Sequence, residues 1–196
     1  MNLPNKLTLS RIFITILIII LLLLPFDAFG VTFPQLFVNE LLKVDSKYII
    51  AGFLFIIAAL TDLFDGKIAR KKNLVTDFGK MLDAIADKVL VNSVLVIFAS
   101  NGFIHPIIAV VYIFRDEVVN ALRIHAAKNG IVVAAGMNGK IKTFAMMVGL
   151  SLMFFYNIPF EFWNIRLDKF LVFFATIMSV VSGIEYYNKI RKIKKM

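Results

Sequence analysis

From Ile12 to Phe26 the chain is apolar at every position except Thr15. In hydrocarbon there is no water to satisfy backbone N–H and C=O groups, so such a run must bond internally, which a helix does. Crossing a bilayer core takes about 20 mostly apolar residues per helix. Further apolar stretches begin near Tyr48, Phe78, Pro106, Lys140 and Lys169. The pattern predicts an all-α integral membrane protein with six transmembrane helices, forming a single domain over residues 1–196. The first span is expected from Leu7 to Pro25. Ala28 and Gly30 would suit cleavage of a leader, but the run joins an amphipathic start and is long enough to remain as a span. The second span, Tyr48 to Leu60, is short and must continue helically to Asp65. The others cover Phe78 to Ser100, Pro106 to Ala127, Lys140 to Tyr156 and Lys169 to Tyr187. Among the connections, Gln35 to Leu42 reads as a small interfacial helix. Asn101-Gly102 and Lys128-Asn129-Gly130 mark turns.

Composition agrees with a lipid environment. The chain is 60% apolar with mean hydropathy +0.83, against about 45–50% apolar for soluble domains. Its net charge of +9 has a topological explanation. All but four of the 22 Lys and Arg residues fall on one side of the six-span arrangement; the exceptions are Lys43, Lys47, Arg166 and Lys169. That asymmetry places both termini in the cytoplasm. No soluble basic domain or nucleic-acid motif accompanies the charge, so nucleic acid is not an expected partner; anionic lipid headgroups and a phosphorylated substrate are. Without cysteine and with only two histidines, any metal would be held by oxygen, which favours hard cations.

Against this apolar background stand four acids, Asp62, Asp65, Asp83 and Asp87. Asp62 and Asp65 are about 60° apart on a helix, and Asp83 and Asp87 about 40°, so each pair shares a face. The connection between them is short enough for antiparallel neighbours, so the two faces can converge. Two carboxylates in contact repel by about 4 kcal/mol at an effective dielectric of 20, and divalent cations reverse that sign. Gly66 and Gly79 permit close approach of a phosphate or backbone, and Arg70 offers a bidentate fork. These residue types suit two-metal chemistry on a diphosphate, with one carboxylate able to act as a base. A cation transporter using the acids as an ion pathway is the reading from another class. Against it, the acids cluster at one face, with nothing comparable on the other side.

The arrangement Asp62-x-x-Asp65-Gly66-x-x-Ala69-Arg70, eight residues, Gly79, three residues, Asp83, three residues, Asp87 resembles the signature of the CDP-alcohol phosphotransferase family at every fixed position. The opening Asn2 to Arg11, the stretch Ile113 to Glu117 with Leu122-Arg123, and Gly139 to Thr143 look like the bacterial branch that makes phosphatidylglycerophosphate. The resemblance implies that family's six-helix fold, a homodimer, and a location in the bacterial cell membrane with the site at the cytoplasmic face. It implies transfer of the phosphatidyl group from CDP-diacylglycerol to sn-glycerol 3-phosphate, with two divalent ions, Mg²⁺ or Mn²⁺, as cofactors. Asp62, Asp65 and Asp83 would hold the metals, and Asp87 would join them or act as the base. Asp62, Gly66, Arg70 and Gly79 would contact the CDP portion, with Asn5 and Thr8 helping at the nucleotide or else capping the first helix.

The acceptor carries its own phosphate and needs cations. Arg115, Arg123, Lys140 and Lys142 are the candidates. Arg115 lies well inside the fourth span, where an unpaired charge is costly. Its alternative is an ion pair with Asp116 or Glu117; the family pattern has one acid after the arginine, and two adjacent acids leave open which orients it. For Lys140 and Lys142 the positive-inside bias is a competing explanation. A sister enzyme using serine, inositol phosphate or a second lipid is the runner-up.

Overall fold

A computed structural model of the protein describes the backbone of residues 3–38, 42–71, 77–128 and 136–194. Side chains are described over the same ranges apart from 3–4, 37–38, 42, 62–71, 77–78, 80 and 194. In order, the elements are α1 (Leu3–Leu23), a 3-10 turn (Phe26–Phe29), β1 (Gln35–Val38), β2 (Leu42–Asp45) and α2 (Ser46–Lys71). They continue with α3 (Asp77–Ser100), α4 (Pro106–Lys128), α5 (Met137–Phe154), a 3-10 turn (Phe160–Trp163) and α6 (Leu167–Lys194). Pro4 falls in the first turn of α1, where its missing N–H has no partner to lose. Among the described residues, Asn5–Leu23 and Leu167–Ile193 are long and apolar enough to cross a membrane, and Ser46–Thr61 is a shorter apolar helix. Beyond Thr61, α2 takes on the charges of the acidic motif.

The interfacial helix expected over Gln35 to Leu42 is instead part of an antiparallel hairpin. Its register pairs Gln35 with Asp45, Leu36 with Val44, Phe37 with Lys43 and Val38 with Leu42. The reason is period: Leu42-Lys43-Val44-Asp45 alternates apolar and polar, which presents one face as a strand. Val44 is accordingly buried, at 1% exposure. The Asp45 N–H donates to the Tyr156 hydroxyl at 3.3 Å, anchoring the second strand.

The contacts divide the chain into two compact units, residues 1–97 with 154–158 and residues 98–153 with 159–196. In the first unit α1 packs along α2. The buried face of α1 is Asn5, Thr8, Arg11, Thr15, Ile18 and Leu22, a three- and four-residue spacing that keeps one side of a helix. That face is polar towards the N-terminus and apolar beyond it. The opposite face exposes Leu9, Phe13, Ile16, Ile20 and Leu23. Ala51, Phe55 and Ala58 of α2, Leu90 and Val94 of α3, and Phe154 complete the core. At Gly52 a β-carbon would lie 2.8 Å from the Phe154 Cβ, so this approach is open only to glycine.

In the second unit α4 packs on α6. Tyr112 and Val119 of α4, Met146 and Leu150 of α5, and Val172, Ala175 and Ser179 of α6 are buried. Gly149 sets how near α5 comes to α6, since a β-carbon there would stand 2.9 Å from Val172 Cγ2 and 3.1 Å from the Val172 backbone nitrogen.

Candidate active site

Asp83 and Asp87 project from α3 one turn apart, with side chains 46% and 41% exposed. Both face one residue of α1. Arg11, with no exposed surface, donates from Nη1 to Asp83 Oδ1 at 3.0 Å and stands 3.6 Å from Asp87 Oδ1. A guanidinium keeps its charge even when buried, and an unpaired one would be costly there, so it requires an anionic partner. The same geometry tests the acids for a metal. Two carboxylate oxygens already share a single positive centre, and oxygen donors are what a hard cation takes. On that observation the pair fits a divalent ion.

The other half of the acidic set lies on α2, which continues as a helix to Lys71 and so carries Asp62, Asp65, Gly66 and Arg70. Their side chains fall outside the described residues. Among the described residues no three acids or histidines converge. Gly79 sits in α3 one turn before Asp83. Asn5 and Thr8 lie on the same buried face of α1 as Arg11, at three-residue intervals.

The second unit gathers cations elsewhere. Arg115, 14% exposed at its side chain, donates from Nη1 to Asp116 Oδ1 at 2.7 Å and from Nη2 to Ser182 Oγ of α6 at 2.6 Å. Lys142 of α5 bonds the same Asp116 oxygen, reaches Ser179 Oγ at 3.5 Å and sits 4.5 Å from the Tyr112 ring centre. Asp116 therefore orients Arg115, which resolves the choice between the adjacent acids, and it ties Arg115 to Lys142. A guanidinium has five N–H groups, so the bonds to Asp116 and Ser182 leave Arg115 donors to spare. Arg115 Nε is buried and has no hydrogen-bond partner among the described residues.

Gly183 makes room for that guanidinium. A β-carbon at position 183 would stand 3.0 Å from Arg115 Nε, while the hydrogen bonds to Asp116 and Ser182 hold the group in place. Gly183→Ala is expected to raise KM for a phosphorylated acceptor several-fold with little change in thermal stability; steady-state kinetics with the acceptor varied will check it.

The remaining cations stand apart from this cluster. Lys140 is exposed, two residues and so about 200° around α5 from Lys142. Arg123 is exposed, about 12 Å along α4 from Arg115, with its guanidinium carbon 5.9 Å from the Tyr186 ring centre. Near the start of α5, Asn138 Nδ2 donates to Glu185 Oε1 at 2.6 Å.

Arg11, Ser179, Ser182 and Gly183 are not among the site residues expected from the sequence. A signal for Arg11 was present: Asn5, Thr8, Arg11 and Thr15 form a polar stripe along one face of α1. The serines carry no such mark, because a small residue at a helix contact looks the same whether or not its hydroxyl is used.

Residues 1–183 match the model of the CDP-alcohol phosphatidyltransferase family. The CDP-diacylglycerol–glycerol-3-phosphate 3-phosphatidyltransferase of Bacillus subtilis is 40% identical over 188 residues, covering 96% of this chain and 94% of that protein. The enzyme of the same name from Rickettsia bellii is 33% identical over 192 residues, covering 97% and 96%. Among solved structures, the crystal structure of Mycobacterium tuberculosis phosphatidylinositol phosphate synthase in apo form is similar in fold. Its TM-score is 0.61 at 16% identity, covering 94% of this chain and 87% of that one.

Proposed function

The chain belongs to the CDP-alcohol phosphatidyltransferase family, and we infer that within it the protein makes phosphatidylglycerophosphate. It transfers the phosphatidyl group of CDP-diacylglycerol to sn-glycerol 3-phosphate and releases CMP, a step of anionic phospholipid synthesis. The observation that carries a phosphorylated acceptor is the shared Asp116: Arg115 and Lys142 meet on one carboxylate, and the guanidinium keeps donors for a phosphate, while the names of the relatives specify glycerol 3-phosphate. A phosphate, with its greater negative charge, makes fuller use of that pair than the carboxylate of serine.

In this reading Asp62, Asp65 and Asp83 hold two divalent ions, Mg²⁺ or Mn²⁺, with Asp87 as a further ligand. Such ions, when bound, neutralise the diphosphate and stabilise charge on the leaving phosphate. Asp62, Gly66, Arg70 and Gly79 hold the CDP portion, with Asn5 and Thr8 at the nucleotide. Arg115 and Lys142 bind the acceptor phosphate, assisted by Arg123 and Lys140. The primary hydroxyl of the acceptor attacks the phosphorus bearing diacylglycerol. Asp87 accepts the hydroxyl proton as the new P–O bond forms and the bond to CMP breaks.

The protein spans the bacterial cell membrane through all six helices, as a homodimer, with this site at the cytoplasmic face. The outward apolar face of α1, with Phe13 61% exposed, supports a lipid-facing surface. So does the concentration of Lys and Arg on one side of the spans.

Comparing acceptors tests the assignment. With CDP-diacylglycerol and Mg²⁺, the purified protein is expected to release CMP with sn-glycerol 3-phosphate and not with serine or inositol phosphate. Turnover with inositol phosphate alone would place the chain with a sister enzyme. CMP release undiminished in EDTA would remove the metals from the reaction.

A further inference from the structure

Arg11 has no exposed surface, yet it approaches two carboxylates that each remain more than 40% exposed. Its Nη1 lies 3.0 Å from Asp83 Oδ1 and 3.6 Å from Asp87 Oδ1. One nitrogen near two oxygens of neighbouring acids does more than a single ion pair. It supplies positive charge where two negative groups on one helical turn would otherwise repel. The guanidinium reaches them from the helix opposite, and Thr15 and Thr8 flank it on the buried face of α1.

We propose that Arg11 is a positioning residue: it is the resident counter-charge that holds Asp83 and Asp87 together and aimed when no divalent ion is bound. The proposal rests on the reading of Asp83 and Asp87 as metal ligands. Arg11 touches neither substrate nor reacting atoms in this role. It keeps the acid pair assembled through each cycle of ion loss, so that an arriving cation meets two carboxylates already turned the same way.

The test is thermal unfolding of the full-length protein in detergent, comparing wild type, R11Q and R11K in EDTA and in saturating Mg²⁺. Removing the counter-charge exposes the repulsion only where no metal replaces it. R11Q is therefore expected to lose at least about 4 °C more in EDTA than in Mg²⁺, and R11K to recover part of the loss in EDTA. Equal losses in both conditions would make Arg11 a buried packing residue and overturn the proposal. If Mg²⁺ raises the unfolding temperature of neither protein, the failure belongs to the metal-ligand reading itself. Should R11Q fold in neither condition, the double variant R11Q/D83N removes the charge together with its partner. Folding restored in that variant supports the counter-charge role, and continued failure overturns it.

Discussion

Asp87→Asn is expected to abolish CMP release from CDP-diacylglycerol while the protein stays folded. The amide keeps the volume of the side chain and removes both its negative charge and its capacity to accept a proton. A positioned general base is worth about 10²–10⁴-fold, and loss of a charged ligand adds to that, so turnover should fall by roughly 10³-fold or more. The geometry explains why the fold survives. Arg11 stands 3.6 Å from Asp87 but hydrogen-bonds Asp83 at 3.0 Å, so the buried guanidinium keeps its nearer partner. Asp83→Asn should differ in kind, because it takes the carboxylate from a buried arginine and lowers thermal stability as well as activity. Measuring CMP release and unfolding temperature on both variants separates the two roles. Normal turnover by Asp87→Asn would take that residue out of the chemistry.

Arg115→Ala is expected to lower kcat/KM for sn-glycerol 3-phosphate by about 10²-fold or more, since truncating one partner of a buried, hydrogen-bonded charge pair costs about 2–5 kcal/mol. Arg115→Lys should recover little of it: an ammonium cannot span Asp116 and Ser182 in the fixed fork that a guanidinium presents. The companion measurement is Asp116→Asn. If the cations acted only by total charge, losing an acid would strengthen phosphate binding. If Asp116 sets where Arg115 and Lys142 stand, the same change weakens it, with KM for the acceptor rising about tenfold or more, and this second result is the expected one. A fall in KM would show that charge alone matters.

The six helices were readable from sequence because long apolar runs bounded by turn signals leave few alternatives, although among the described residues only α1 and α6 are long and apolar enough to cross a membrane; the acid motif was readable because its spacing is fixed along the chain. Interactions between distant segments were not. Asp116 and Glu117 sit side by side on α4, and what distinguishes them is Ser182 and Lys142, supplied by α6 and α5. Arg11 finds its partner 72 residues away, so no local pattern names it, although the polar stripe on α1 announces that something must be met there. The hairpin was missed for the opposite reason. Gln35 to Leu42 mixes apolar and acidic residues in a way that suits a short helix too, and the decision came from cross-strand pairing and from the bond between Asp45 and Tyr156.

The buried arginine of α1 also bears on the order in which the chain assembles. Arg11 is synthesised first, and the carboxylate that compensates it emerges 72 residues later, about 4–14 s at ordinary rates of translation. Through that interval the hydrogen bond between Arg11 and Asp83 cannot form. That contact between α1 and α3 is made only when α3 arrives. The first segment of the enzyme thus waits on a helix made much later for this part of the acid site, and a chain halted before Asp83 has no means of completing it.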